Sequence, residues 1–248
     1  MRLFLGCVKN EFGKLLHKKK YMVFLLIEVI FCVCVLLIQA AVNRAMDGEI
    51  VLQAKNMSLG MLTFFIQVYV PLVLFMACCD LFSAEMQDNS IKAVLMRPVS
   101  RFKIFFAKTL AIAAFAVLYL AALFLVTTIL EVASSGTVAR FWSSLGAYLL
   151  DIIPLLILVL MAVLVNQVTK SSSMAMFLCI LLYVVLCIVG IVIPEASGLL
   201  FTGYMQWHKL WLGAILPFGA MLAKIGLLCG YGLVFGGAGF LLFDRRDF

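Results

Sequence analysis

The side chains that could do chemistry in this sequence are few, and three of them stand inside long apolar runs: Glu28, Asp151 and Lys224. A charge in such a setting usually faces a bundle interior and has a partner. Helix rise places Asp151 and Lys224 at similar depth, each about two turns from the same membrane face, with Glu28 some 10 Å or more away. The expectation is an Asp151–Lys224 ion pair, with Glu28 meeting a polar group or water. Such groups serve either as a satisfied structural pair or as part of a polar path. His17 and His208 are single, far apart in sequence and read as interfacial side chains. Of the eight cysteines, all but Cys7 fall in apolar runs and none forms a CxxC pair, so they read as small hydrophobes rather than metal ligands. There is no HExxH, no acidic dyad within one apolar run and no Ser–His arrangement at equal depth. No catalytic residue and no metal site are therefore expected. There is also no GxxxxGK[ST] phosphate loop, so this chain does not bind and hydrolyse ATP in that manner.

One charged stretch lies between two apolar segments: EMQDNSIKAVLMRPVSR, Glu85 to Arg101. Asp88, Asn89 and Ser90 offer N-cap side chains for a helix beginning near Ile91. Pro98 cannot continue that helix and biases Arg97 away from helical geometry. Ser100 can cap the next helix. The stretch predicts a short helix across the membrane normal, with Ile91, Val94 and Leu95 available to a partner and Lys92 and Arg97 at its rim. The plainer reading is a loop whose Lys and Arg set topology.

The elements that must position these residues can be read from composition. Of 248 residues, 66% are hydrophobic and 12% charged. A soluble domain carries roughly a quarter charged residues, so the solvent here is lipid. The apolar runs are long and unbroken, which selects helices over a barrel of alternating ~10-residue strands. Six spans are expected near 21–42, 59–81, 104–130, 145–167, 174–194 and 218–243. Residues 1–20 lack the pattern of a signal peptide. Phe4, Val8, Phe12, Leu15 and Leu16 recur at helical spacing, which predicts an amphipathic helix in the membrane interface. The net charge of +7 reads as topogenic rather than as a nucleic-acid surface. Apart from Lys224 within a span, only Arg44, Lys55, Arg140 and Lys209 of the 19 basic residues fall on the face opposite the N-terminus. Basic residues gather on the cytoplasmic side, so both termini are expected there, in a plasma (inner) membrane. The connection Pro194–Pro217, rich in Trp and Tyr, is expected to dip into the membrane as short broken helices. Pro154 is expected to kink the fourth span. The 226/230 and 232/236 glycine pairs of the sixth read as packing within one subunit rather than a dimer seam.

Glu85, Asn89–Ser90, Ile91 to Met96, Arg97–Pro98–Val99–Ser100–Arg101 and Lys108, with FDRRDF at the chain's end, resemble the permease subunits of ABC-2 type transporters. The resemblance covers essentially the whole chain. It implies an all-α integral membrane fold, a single permease domain over 1–248, with six spans, an interfacial N-terminal helix and a cytoplasmic coupling helix. It also implies that Glu85, Asn89, Ser90, Ile91, Val94, Leu95, Arg97, Pro98 and Arg101 couple to a separate ATPase subunit, present in two copies, which binds ATP and Mg. A second permease, alike or a sister, completes the assembly, in contact with membrane lipid and not nucleic acid. The implied activity is export of an amphipathic peptide, antibiotic or lipid-like molecule. The alternatives are an assembly subunit of a larger membrane complex or a membrane-embedded enzyme.

Overall fold

The computed structural model describes residues 2–45, 57–88, 90–91, 100–135, 141–169, 171–212 and 218–246, all helix and short connections, with no strand among them. In lipid every backbone polar group must be satisfied within the chain, and helices do this segment by segment. The elements are α1 (Arg2–His17), α2 (Lys19–Ala45), α3 (Met57–Phe64), a π-turn (Phe65–Tyr69), α4 (Val70–Leu81), α5 (Ser83–Gln87) and α6 (Arg101–Ser135). They continue with α7 (Phe141–Leu150), α8 (Ile152–Val168), α9 (Ser172–Val192), α10 (Pro194–Ser197), a 3₁₀ turn (Phe201–Tyr204), α11 (His208–Leu212) and α12 (Phe218–Arg245).

Among the described residues, six helical stretches are long and apolar enough to cross a membrane: Lys19–Val42, Ser58–Gln87, Arg101–Ser134, Phe141–Val168, Ser172–Val192 and Gly219–Arg245. The chain is an all-α integral membrane protein. The second stretch runs past the expected end at 81. Phe82 turns sharply, yet Phe82 N–H still reaches Cys78 O and Met86 N–H reaches Phe82 O, so the helical path carries on to Gln87. The fourth is interrupted at Asp151, just before Pro154, although Asp151 N–H still reaches Ala147 O. Pro154 has no N–H to offer the carbonyl of Leu150, and the helix stops there and restarts at Ile152.

The second, third and fourth spans form the core. Phe65, Leu74, Phe75 and Phe82 meet Phe105, Ile112, Phe115 and Tyr119, and Leu155, Leu158 and Ala162 close the third side. The first, fifth and sixth spans surround them and leave large apolar side chains outward, such as Leu26, Ile191 and Leu233. The sixth packs most extensively along the fourth. A Cβ at Gly232 or Gly236 would touch Leu160, and one at Gly239 would lie 3.4 Å from the Phe105 ring and 3.7 Å from Leu164 Cα. These three glycines thus serve packing inside one subunit, while Gly226 and Gly230 face nothing within 4 Å. Helix α1 lies along the start of α6. Its apolar stripe faces that helix, with Leu15 fully buried and Phe12 edge-on to Phe115 at 6.3 Å.

Candidate functional site

The end of the bundle that carries Lys18–Lys20, called here the basic end, holds a closed ring of four charges. Lys108 enters it from the second turn of α6 and is fully buried. Its Nζ donates to Glu11 Oε2 at 3.0 Å, to Glu85 Oε2 at 2.6 Å and to Leu81 O at 3.0 Å. Lys14 closes the ring from the outside, donating to Glu11 Oε1 at 2.9 Å and Glu85 Oε1 at 2.8 Å. All three protons of the Lys108 ammonium are placed, and each carboxylate bridges both lysines. A buried charge persists only when it is paired and hydrogen-bonded in this way. Burial works against the ionised Glu11 carboxyl, but Lys108 and Lys14 outweigh it and hold the group below its ordinary 4.5. Burial also works against charge on Lys14, and its bonds to Glu85 and Glu11 raise it above 10.5. The ring fastens α1 and α5 to α6.

A second knot sits one turn deeper. Asp80 accepts from Lys18, Lys20 and Tyr21, the last at 2.6 Å, and Tyr119 donates to Tyr21 O at 2.7 Å. The junction between α1 and α2 is thereby tied to the second and third spans. A third joins the C-terminal end: Arg246 donates to Gln167 O, Thr169 O and Met86 Sδ, and Arg101 to Asp244 O and Arg246 O.

The residues expected from sequence divide accordingly. Glu85 turns inward to the ring, and Arg101 turns to the C-terminal carbonyls. Ser90 is exposed, and its Oγ donates to Glu85 O at 3.3 Å. Ile91 corrects the expectation that it faces a partner. It is 1% exposed and belongs to the chain's own apolar core, where burial of its side chain outweighs any display to solvent. Asn89, Val94, Leu95, Arg97 and Pro98 lie outside the described residues. Ser100 stands where expected, its carbonyl accepting Ile104 N–H as α6 begins.

The intramembrane charges are arranged differently from the expectation. Asp151 does not pair with Lys224. At the break in the fourth span it accepts the backbone N–H of His208 at 2.8 Å and His208 Nδ1 at 2.5 Å. Both residues are buried, so His208 is no interfacial side chain. The connection after the fifth span doubles back, and the Asp151 carboxylate binds the nearest donors, which are on that connection. Lys224 instead sets its ammonium 5.5 Å from the centre of the Tyr204 ring. Glu28 is 1% exposed, and neither carboxyl oxygen has a hydrogen-bond partner among the described residues. The nearby hydroxyls of Tyr69, Tyr119 and Tyr148 donate to the carbonyls of Phe24, Tyr21 and Ser58 instead. The expected polar partner is therefore not found among the described residues.

A lateral groove of about 430 Å³ separates the second span from the fifth, lined by Gln67, Leu72, Phe75, Tyr183, Val184 and Ile188 among others. Among the described residues no cluster of three or more His, Cys, Asp or Glu is placed to hold a metal.

Chemically, the basic end can transmit force but offers no nucleophile with a base. Glu11 and Lys14 are its unforeseen members. Their signal was present: Glu11 interrupts the apolar stripe between Val8 and Phe12, and a carboxylate on a buried face requires a partner. Residues 7–190, which include all four members of the ring, match the family described as ABC-2 family transporter protein. No curated protein matches the chain. Since the family match spans more than half of the 248 residues, the chain belongs to the ABC-2 transporter family and is a multi-pass membrane permease of an ABC transporter.

Proposed function

We propose that this permease couples ATP hydrolysis by a separate subunit to export of an amphipathic substrate across a plasma (inner) membrane, with both termini cytoplasmic. Two ATPase copies, which bind the ATP and Mg, dock at the basic end of two permeases. Residues 85–101 and α1 receive their motion. The observation that carries this reading is the buried ring of Glu11, Lys14, Glu85 and Lys108. Any displacement of the 85–101 connection pulls on Glu85, and Glu85 is bonded to both α1 and the third span. A plain topogenic loop has no need of such a fastening. The apolar faces of the helices suit a hydrophobic peptide, an antibiotic or a lipid-linked molecule.

The test is purification of the permease from its native membrane. An ATPase subunit co-purifies, and its turnover rises in the permease's presence. Leu95→Asp abolishes that rise while the permease remains folded. Glu85→Gln preserves binding of the ATPase but weakens the rise severalfold. A permease that co-purifies with no nucleotide-hydrolysing subunit, or whose Leu95→Asp form stimulates normally, ends the proposal.

A further inference from the structure

The first span meets the bundle along one stripe. Tyr21, Glu28 and Cys32, at seven- and four-residue steps, are buried, while Met22, Leu26, Ile30 and Leu37 face outward. Glu28 lies about 12 Å of helix rise beyond Lys20, inside a hydrocarbon core about 30 Å thick. Neither of its carboxyl oxygens is bonded. The titratable groups around it are Cys32 on its own span, Tyr69 on the second, Tyr119 on the third and Tyr148 on the fourth. Each of the three hydroxyls donates to a backbone carbonyl instead. Among the described residues no Lys, Arg or His joins them. Lys18 and Lys20, nearer the basic end, are held by Asp80.

We infer that Glu28 is a proton-binding site: its carboxyl carries a proton while the first span lies against the bundle, and exchanges that proton with water each time the span parts from it. A carboxylate enclosed without donor or cation is not sustained, and a neutral carboxyl costs far less there. A hard metal ion asks for several oxygens turned to one point, and among the described residues no cluster of acids, histidines or cysteines is placed to hold one. A proton asks for one oxygen only. Glu28 bonds to nothing, so an apolar side chain of similar size would hold the span at least as well. What the carboxyl adds is its ability to lose a proton. When the stripe separates and water enters, the carboxylic acid and a water become a carboxylate and a hydronium ion, with no other reactant. Closure reverses the step. The exchange rests on the permease reading, in which α1 receives the motion of the ATPase and passes it to the first span through the Lys18 junction.

Infrared spectroscopy of the full chain, reconstituted in lipid with its co-purified ATPase, tests the site. The spectrum of the natural chain minus that of Glu28→Gln, at neutral pH, shows the carbonyl stretch of a protonated carboxyl and no carboxylate stretch. Glu28→Gln keeps the shape of the neutral acid, and Glu28→Leu provides a second subtraction. In heavy water the carboxyl band moves to its deuterated position roughly tenfold faster during ATP hydrolysis than without ATP, because a buried group exchanges only on opening. A carboxylate stretch in place of the carboxyl band overturns the site. Equal exchange with and without ATP overturns its part in the cycle. If no ATPase co-purifies, the permease reading fails by itself, and the carboxyl band still decides whether Glu28 holds a proton.

Discussion

Lys108 is the residue on which the basic end turns. It is buried and holds two carboxylates that no other buried cation serves among the described residues. Replacing it by Met leaves Glu11 and Glu85 with only half-exposed Lys14 between them. Removing one partner of a buried ion pair costs about 3–5 kcal/mol, and a loss of that size is expected in thermal unfolding of Lys108→Met in detergent. Lys14→Ala, at the wetter corner, costs much less because solvent screens its charge. The ring also sets a pH dependence. The folded Glu11 value lies below 4.5, so its stabilisation is complete above 4.5 and is lost as pH falls through the lower folded value. The Lys14 value lies above 10.5, so its share is complete below 10.5 and is lost as pH rises through the higher folded value. The Tm deficit of Glu11→Gln relative to the natural chain is therefore constant from about pH 5 to about pH 10. It closes as pH falls from 4.5 through the lower folded value, where the carboxyl of the folded chain becomes neutral too. A deficit that persists undiminished in acid would contradict the ring.

At the scale of elements, two joints can be probed. The far-face clasp between the broken fourth span and α11 is a buried pair. Asp151→Ala leaves the backbone N–H and Nδ1 of His208 without their acceptor, and His208→Ala leaves one carboxylate oxygen without its donor, so a double-mutant cycle on unfolding shows coupling of about 0.5–3 kcal/mol. Lys224→Gln combined with Asp151→Ala is additive within about 0.5 kcal/mol. Against the fourth span, Gly239→Val meets the Phe105 ring and the Leu164 backbone and loses about 1–3 kcal/mol. Gly230→Ala has open space and gains up to about 1 kcal/mol of helix propensity. Thermal unfolding of the two variants separates them by sign. These joints also show what a sequence can disclose. The spans were legible because each is a continuous apolar run. The Asp151 partner was not, because depth counting compares only straight spans, whereas the winning donors come from a connection that folds back between them. Glu85 and Lys108 were legible through a family pattern. Glu11 and Lys14, three residues apart on a helix, look locally like an ordinary surface pair. Only the fold brings them to residues 71 and 97 positions away in sequence.

For the whole molecule, the three knots at the basic end divide the spans into coupled sets. α1 and the first, second and third spans share the first two knots, while the third joins the C-terminal end of the sixth to the fourth, the second and the start of the third. The far end is held by separate contacts, so motion imposed at one end reaches the other through rigid helices rather than through a shared polar chain. The four-charge ring has a consequence for this motion. Its two carboxylates and two ammoniums sum to zero. A charge crossing the whole membrane field exchanges about 2.3 kcal/mol per 100 mV, but a neutral set displaced as one body exchanges none. The fastening is therefore blind to the membrane potential. Lys14→Gln leaves one negative charge uncancelled at the same place. In proteoliposomes with an imposed potassium diffusion potential, ATPase turnover of that variant responds to voltage differently from that of the natural complex. Energised and de-energised membranes thus present this joint with the same mechanical load.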